Sequence, residues 1–295
     1  MKNSKSINVY LIDGTPTGRI KCTMQNWTGV AYKVPRTLLK ECYSTGGNIT
    51  RHLKQSGIYM LIGENDKGSP SIYVGQAVIR KNGDGILGRL NEHKNSTTEK
   101  YRDYWNEAVC FTTTNDTFGP TEISYLENMF TNMAKSAERY EVCNSNEPNV
   151  GNVTEEKESE LEEFIEYAKV IMGVLGHKVF TPLKSPVIHI EEKTEINDSV
   201  NPIFTFTGSY KARAELTNEG IVLLQGSEIN EKLLPSATPS TRKLRTQYAR
   251  NIVNGKTTCD ILFTSPSAAS AFVAGRSSSG NLEWKTTDGK SPKDF

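Results

Sequence analysis

Short apolar runs separated by polar turns dominate the first part of the chain. Residues 7–12 and 19–24 favour β-structure and flank a turn rich in Gly and Pro, so they predict a hairpin. Residues 30–34 predict a further strand. We therefore expect a β-rich N-terminal unit over residues 1–50.

A second group of elements follows, in which strands and helices alternate. Residues 57–63 and 71–75 are apolar runs on either side of a polar loop, which predicts another hairpin, and residues 105–113 predict a third strand. Leucines at helical spacing predict a helix over residues 86–94, and a Pro-Thr-Glu sequence predicts a helix that begins at Thr121. This group indicates a unit of mixed helices and strands.

The clearest helix of the chain is predicted over residues 154–176. Its apolar residues recur at helical spacing, glutamates crowd its N-terminal half, and Gly176 marks its end. We expect a structural helix that belongs to a domain over residues 51–190. A charged stretch with Asn and Ser predicts a linker over residues 191–202, and residues 203–295 predict an α+β module.

Composition narrows the class of protein. No apolar run approaches the ~20 residues that span a bilayer, and no apolar stretch follows the charged N-terminus, so we expect a cytoplasmic protein with no membrane contact. The five cysteines are scattered without a CxxC pair, which favours reduced thiols over disulfides or a zinc site. Since there are four histidines in the whole chain, we expect any catalytic metal to have oxygen ligands.

The net charge of +1 hides an uneven distribution. Residues 1–55 carry nine Lys or Arg against two Asp or Glu, a net charge of +7, and residues 202–295 carry twelve against eight, a net charge of +4. Between them the charge is −3 over residues 56–145 and −7 over residues 146–201. Basic ends suit a protein that binds phosphates, although an ordinary solvated surface gives the same pattern.

Several residues of the second group supply the groups that phosphodiester hydrolysis needs: a base, a fixed positive charge and a metal ligand. Glu127 offers a carboxylate that suits Mg²⁺, and Arg89 offers a guanidinium that matches phosphate oxygens. Tyr59 and Tyr73 lie on neighbouring predicted strands, and a nearby cation would lower the pKa of a phenol. His93 lies one helical turn beyond the arginine and offers a proton acceptor. Taken singly, each has an ordinary structural interpretation as a core tyrosine or a solvated helix residue.

Four short strings occur in order in this region: Gly57-Ile58-Tyr59, Tyr73-Val74-Gly75, Arg89-x3-His93 and Leu126-Glu127. In this order they resemble the motifs of the GIY-YIG nuclease superfamily. The resemblance implies an α/β fold of the α+β kind, with a small three-stranded antiparallel sheet flanked by helices, over residues 56–146. It also implies cleavage of DNA with a single Mg²⁺ or Mn²⁺ ion.

The resemblance also assigns roles to individual residues. Glu127 is expected to bind the metal, while the two tyrosines and the arginine act at the scissile phosphate, one tyrosine serving as the base. An asparagine after the metal-binding helix often completes such a site, so Asn144 is the candidate here and Asn146 its alternative. Glu122 is a rival metal ligand. The chain departs from the family pattern by a Val where Ile is usual and by an insertion over residues 80–85, which either touches substrate or shifts the arginine.

Three strings near the C-terminus carry a second resemblance: Phe263-Thr264-Ser265-Pro266-Ser267-Ala268-Ala269, Gly275-Arg276-Ser277 and Glu283-Trp284-Lys285. They resemble a domain of unknown function (DUF4357), which is often fused to bacterial nucleases or methyltransferase-type proteins. Ser265, Arg276 and Trp284 are candidates for contact with a partner or nucleic acid, with helix capping and core packing as the alternative.

We therefore expect a bacterial, metal-dependent DNA endonuclease with accessory domains on both sides of the catalytic one, of the kind used in restriction, phage defence or DNA processing. Because one active site cuts a duplex only by acting twice or as a dimer, a homodimer is one of the arrangements to test. Two alternatives stay open. The chain is then either a non-catalytic nucleic-acid-binding protein or an interaction subunit whose cleavage needs a partner.

Overall fold

The computed structural model describes residues 4–81, 83–96, 104–145, 147–183 and 201–295. They belong to a mixed α/β protein with two compact units, residues 1–182 and residues 183–295. Among the described residues no helix is long and apolar enough to cross a membrane. Two sequence predictions lie outside the described part of the chain: the alternative asparagine, Asn146, and residues 191–200 of the expected linker.

A mixed sheet organises the first unit. Its strands are β1 (Ile7–Leu11), β2 (Ile20–Met24), β3 (Gly29–Pro35), β4 (Gly57–Glu64), β5 (Pro70–Ala77), β6 (Trp105–Thr113) and β7 (Glu141–Val142). They lie in the order β1-β2-β3-β6-β4-β5-β7, and neighbours are antiparallel except for β5 and β7. The hairpin expected at the N-terminus is β1-β2, and the hairpin expected after residue 56 is β4-β5.

The three strands predicted for the second group are neighbours in this sheet, in the order β6-β4-β5. The N-terminal strands continue the same sheet, because β3 pairs with β6 from Gly29 opposite Thr113 to Pro35 opposite Glu107. The sheet thus crosses the domain boundary that the sequence suggests after residue 50. Local patterns carry no sign of this pairing, because it joins strands far apart along the chain.

Helices cover both faces of the sheet: α1 (Glu41–Ser44), α2 (Gly47–Leu53), α3 (Ile86–Asn95), α4 (Pro120–Ala137) and α5 (Glu155–Val174). Successive side chains of a strand point to opposite faces, so β4 serves two cores. Ile58 and Met60 pack into the core that α4 and α5 share. Tyr59 and Leu61 pack into the core on the other face, under α1, α2 and α3. Both faces of β4 are therefore buried.

The second unit is built on a separate antiparallel sheet. Its strands are β8 (Ile203–Phe206), β9 (Arg213–Thr217), β10 (Gly220–Leu223), β13 (Ile261–Phe263) and β14 (Trp284–Lys285), in the order β13-β10-β9-β8-β14. A small hairpin joins β11 (Ile252–Val253) to β12 (Lys256–Thr257). The helices are α6 (Pro239–Gln247), α7 (Pro266–Ala274) and α8 (Gly280–Glu283). Phe204, Phe272 and Trp284 are among the fully buried residues of its core.

Candidate active site at the β4-β5 margin of the first sheet

The two tyrosines lie on the same face of the β4-β5 ladder. Tyr59 is opposite Gly75, and Leu61 is opposite Tyr73, so the tyrosines are diagonal neighbours. A Cβ atom on Gly75 would lie 2.3 Å from the Tyr59 hydroxyl oxygen. The glycine of the second string therefore leaves the space that the tyrosine of the first string fills.

The glycine of the first string has a steric role of its own. A Cβ atom on Gly57 would lie 2.3 Å from the carbonyl oxygen of Phe111 on β6 and 2.7 Å from the side chain of Ile86 at the start of α3. Gly57 thus allows α3 to pack closely where β4 begins. This close packing helps to position the helix that carries the arginine and the histidine.

His93 on α3 completes an aromatic cluster with the two tyrosines. Its Nε2 atom lies 2.7 Å from the Tyr59 hydroxyl oxygen, which is hydrogen-bonding distance. The ring centroid of His93 lies 5.3 Å from that of each tyrosine, and the two tyrosine centroids lie 6.3 Å apart. Tyr59 and His93 are buried, whereas Tyr73 is half-buried. Tyr73 is therefore the member of this cluster that reaches solvent.

Arg89 lies beside this cluster and is held by a carboxylate. Its Nη1 atom donates to Glu92 Oε2 at 2.6 Å, and Arg80 pairs with the other oxygen of Glu92. Burial opposes the charge of Arg89, but Tyr59 and Glu92 outweigh it, so the pKa of Arg89 is raised above its ordinary value. The insertion that begins at Arg80 therefore contributes a second cation next to Arg89.

Glu127 lies on α4, against the opposite face of the sheet from the tyrosines. Its Oε2 atom accepts a hydrogen bond of 2.8 Å from the Nε2 atom of Gln76 on β5, and Gln76 also donates to the Ser124 hydroxyl at 3.2 Å. Burial raises the pKa of Glu127 above its ordinary value, while the Gln76 hydrogen bonds and the charge of Arg89 act in the opposite direction. Arg89 therefore acts electrostatically on both Tyr59 and Glu127.

Gln76 is a residue that sequence reasoning missed. It directly follows the second tyrosine string, and the alternation along β5 turns it towards α4, on the face opposite Tyr73. The alternation along β5 is the signal in the sequence that points to Gln76, because a polar side chain on the face packed by Ile72 and Val74 needs a buried partner.

Asn144 lies next to β5, but its amide is already engaged. Its Oδ1 atom accepts from the backbone N–H of Val74 at 3.1 Å, and its Nδ2 atom donates to the carbonyl oxygen of Val74 at 2.8 Å. β7 pairs with β5 only at Ser71 and Ile72, so the asparagine side chain continues this pairing beyond the strand. In this structure Asn144 secures the strand that carries Tyr73.

Glu122, the rival metal ligand, lies elsewhere. It is in the first turn of α4 and lines a small crevice with Thr113 and Lys157. Five positions along a helix separate it from Glu127, which turns the two side chains well apart. The candidate site therefore contains one of the two carboxylates.

The donor set fits a hard cation that keeps most of its own water. No group of three or more His, Cys, Asp or Glu side chains gathers as a metal cage within the described residues. Mg²⁺ is commonly held by only one or two protein carboxylates and retains several waters. Glu127, fixed by Gln76 and half-buried beside the β4-β5 margin, suits such a site.

The three residues named in the C-terminal module have structural contacts. The Ser265 side chain accepts from the backbone N–H of Ala268 and caps α7. Trp284 is fully buried and donates to the carbonyl oxygen of Pro266 at 3.1 Å. Arg276 pairs with Glu283 at 2.9 Å. Capping and core packing therefore account for the first two residues.

Comparison with known families identifies one part of the chain. Residues 203–295 match the model of a domain of unknown function (DUF4357). The C-terminal module is a domain of that kind, as the sequence predicts. Comparison with curated proteins and with solved structures finds no match. The match lies outside the candidate site, whose interpretation rests on its own geometry.

Proposed function

We propose that the first unit is a metal-dependent endonuclease that hydrolyses phosphodiester bonds of DNA, with its active site at the β4-β5 margin. The observation that carries the proposal is the hydrogen bond between Tyr59 and His93, with Arg89 beside it. The arrangement places a phenol, a proton acceptor and a fixed cation within reach of one another. It suits proton transfer at a phosphate.

The surroundings suit the two tyrosines to different tasks. Arg89 favours the ionised form of Tyr59, and His93 Nε2 lies within reach of the phenolic proton. Tyr59 is thus the proposed base: its proton passes to His93, and the phenolate then takes a proton from the attacking water. Because Tyr59 is buried, that water must enter beside Tyr73, which is half-buried and is proposed to orient it.

Charge at the phosphate is the second requirement. Arg89 is proposed to bind a non-bridging phosphate oxygen, since its guanidinium keeps its charge and offers a planar set of donors. Glu127, oriented by Gln76, is the proposed metal ligand. A bound Mg²⁺ or Mn²⁺ would supply Lewis-acid stabilisation of the charge that develops on the phosphate.

The decisive experiment measures cleavage of supercoiled plasmid and of single-stranded DNA in Mg²⁺, in Mn²⁺ and in EDTA. We expect cleavage that EDTA abolishes and that falls by about 100-fold or more in Glu127→Gln and in Tyr59→Phe. Tyr73→Phe is expected to lose less activity, because Tyr73 is proposed to orient the water without taking its proton.

Two control variants match the test variants in chemistry. Glu122→Gln removes a carboxylate from α4, the helix that carries Glu127. Tyr125→Phe removes the hydroxyl of a buried tyrosine on α4, which donates a hydrogen bond to Glu158. Both should cut DNA as the wild type does. Cleavage that survives Glu127→Gln, or that Glu122→Gln abolishes equally, contradicts the proposed site. DNA binding without any cleavage would favour the non-catalytic alternative.

A further inference from the structure

A groove at the other margin of the same sheet face has the lining of a nucleotide-binding site. Its volume is about 420 Å³, which lies within the range of ordinary ligand pockets. β1, β2, β3 and the start of α2 line it, with Asn8, Tyr10, Lys21, Tyr32 and Asn48 among the lining residues. These side chains supply aromatic surface, two amides and one positive charge.

The groove is linked to the candidate active site by one transverse row of the sheet. Across the strands, Tyr10 is opposite Lys21 and Lys21 is opposite Tyr32. The row continues through Cys110 to Tyr59. Directly opposed residues share a face, so Tyr10, Lys21 and Tyr32 lie on the face of Tyr59 and Tyr73. At about 4.8 Å per strand, Lys21 is about 14 Å from Tyr59 along the row.

The Tyr32 ring closes the floor of the groove, and its hydroxyl is buried against His52. Arg51 Nη2 lies 3.0 Å from His52 Nε2, and arginine has no acceptor, so Nε2 must accept this hydrogen bond. The ring proton of neutral His52 is then on Nδ1, which donates to the Tyr32 hydroxyl oxygen at 2.8 Å. Burial and the charges of Arg51 and Lys21 lower the pKa of His52 to about 4, in agreement with a neutral ring. The floor under the groove is therefore uncharged.

The remaining lining matches the parts of a nucleotide. Tyr10 is 61% exposed, so its ring is free to stack on a base. Amides such as those of Asn8 and Asn48 bind base edges, and the ammonium of Lys21 suits a phosphate. The surrounding segment agrees in charge, since residues 1–55 carry a net +7 and the exposed Lys40 and Lys54 directly precede α1 and follow α2.

We infer that this groove binds one unpaired nucleotide of the DNA strand that the candidate active site acts on. The base stacks on Tyr10, its edge meets Asn8 and Asn48, and Lys21 binds its phosphate. The separation of about 14 Å is short enough for one DNA strand to reach both the groove and the candidate active site. The inference rests on the proposed function for its choice of ligand, but it uses none of the proposed catalytic residues.

The test measures binding of the full-length protein to a fluorescent 12-nucleotide single strand, and to the matching duplex, by anisotropy in EDTA. We expect Tyr10→Ala to weaken single-strand binding about fivefold or more, whereas Tyr10→Phe, which keeps the ring, binds as the wild type does. The blunt duplex has no unpaired nucleotide, so Tyr10→Ala should change its binding less.

Lys21→Ala tests the phosphate contact through its salt dependence. The slope of log affinity against log salt should fall by about 0.7, the value for one phosphate contact on a single strand. Val9→Ala, on the opposite face of β1, and Lys135→Ala, an exposed lysine on α4, are the controls and should bind normally.

Three results overturn the inference: no binding of single strands, wild-type binding by Tyr10→Ala and Lys21→Ala, or equal losses in the controls. Its failure is distinct from failure of the proposed nuclease. If the wild type cuts DNA and the groove variants bind and cut normally, the groove inference alone is wrong. If nothing is cut but Tyr10→Ala loses single-strand binding, the groove stands and the nuclease proposal is wrong.

Discussion

Gly75 lies directly opposite Tyr59 in the β4-β5 ladder, and the phenol ring occupies the space that a side chain at Gly75 would need. A Cβ atom there would lie 2.3 Å from the hydroxyl oxygen and 2.4 Å from the ring carbon that bears it. Gly75 on β5 thus leaves the space in which the Tyr59 hydroxyl reaches His93.

Gly75→Ala should therefore damage the site more than the fold. The new methyl group must displace the Tyr59 ring, and overpacking of this kind costs about 1–3 kcal/mol of unfolding free energy. We expect the free energy from urea unfolding to fall by that amount, and DNA cleavage to fall to the level of Tyr59→Phe.

Gly173→Ala is the matched control for this substitution. Gly173 lies in the last turn of α5, and beyond its chain neighbours and the helix's own backbone no atom lies within 4 Å of its Cβ position. Alanine there should stabilise the protein by about 0.5–1 kcal/mol, because glycine is unfavourable inside helices. Normal cleavage by Gly75→Ala would show that Tyr59 does not act from the observed position.

The sequence predicted the local parts of this site and missed the parts that depend on long-range pairing. Both hairpins and the strand that includes Phe111 follow from local apolar patterns. The extension of the sheet through β3 and β6 does not, since no local pattern encodes a pairing between distant strands. Asn144 is expected to complete the site; in the structure its amide holds the Val74 backbone, and its part in the site stays a prediction. Gln76 belongs to no motif, and only the alternation along β5, which turns it towards α4, points to its contact with Glu127.

Glu127→Gln should stabilise the protein at neutral pH. A carboxyl group whose pKa is raised on folding binds its proton more tightly in the folded state. Protonation of Glu127 therefore stabilises the folded state in full below the ordinary pKa of 4.5. This stabilisation is lost as the pH rises through the raised pKa of Glu127 in the folded protein. Glutamine carries no charge, and its side-chain oxygen still accepts from Gln76.

We therefore expect Tm in EDTA to be about 1–3 °C higher for Glu127→Gln than for the wild type at pH 7.5, with the difference absent near pH 4. Glu122→Gln should show no such pH-dependent gain. A lower Tm for Glu127→Gln at pH 7.5 would mean that burial of the carboxylate is not the dominant effect. Normal DNA cleavage by Glu127→Gln would show, independently of stability, that Glu127 is not part of the active site.

Glu92→Gln should change DNA binding. Glu92 neutralises both Arg80 and Arg89, whose hydrogen bonds hold its pKa below the ordinary value. Without this carboxylate the two guanidinium groups are free to bind phosphates, so we expect a lower Kd and a steeper salt dependence. The loss of unfolding free energy should stay below about 1 kcal/mol, as for other exposed ion pairs.

Glu166→Gln is a suitable comparison, because Glu166 forms a similar exposed pair with Lys169 on α5. Titration of a fluorescent DNA duplex at several salt concentrations measures Kd and its salt dependence for both variants. An unchanged Kd for Glu92→Gln would show that neither arginine contacts the DNA.

The five cysteines should divide into two classes of reactivity. All are free thiols; Cys22, Cys42 and Cys110 are buried, while Cys143 and Cys259 are partly exposed. Burial raises the pKa of Cys22 and of Cys42 to about 11 and also raises the pKa of Cys143, so it is the partial exposure of Cys143 that separates it from the buried thiols. Maleimide labelling of the native protein should modify Cys143 and Cys259 before the three buried thiols, and all five rapidly only in urea. Peptide mass spectrometry identifies the sites, and rapid modification of Cys110 would contradict the buried β6.

Residues 1–183 should fold and cut DNA without the rest of the chain. Tyr59, Tyr73, Arg89, His93 and Glu127 all lie in the first unit, and the two cores around its sheet are built from that unit's residues alone. The core of the second unit likewise consists of its own residues. A domain with its own core is expected to unfold as one cooperative unit.

We expect the fragment of residues 1–183 to give a single unfolding transition by circular dichroism and to keep the metal-dependent cleavage of plasmid. The fragment of residues 201–295 should unfold separately and cut nothing, because it lacks every candidate catalytic residue. A folded first fragment that cannot cut, with activity restored by adding the second fragment, would assign the DUF4357 domain a direct part in catalysis. An unfolded first fragment would show that the two units depend on each other for stability.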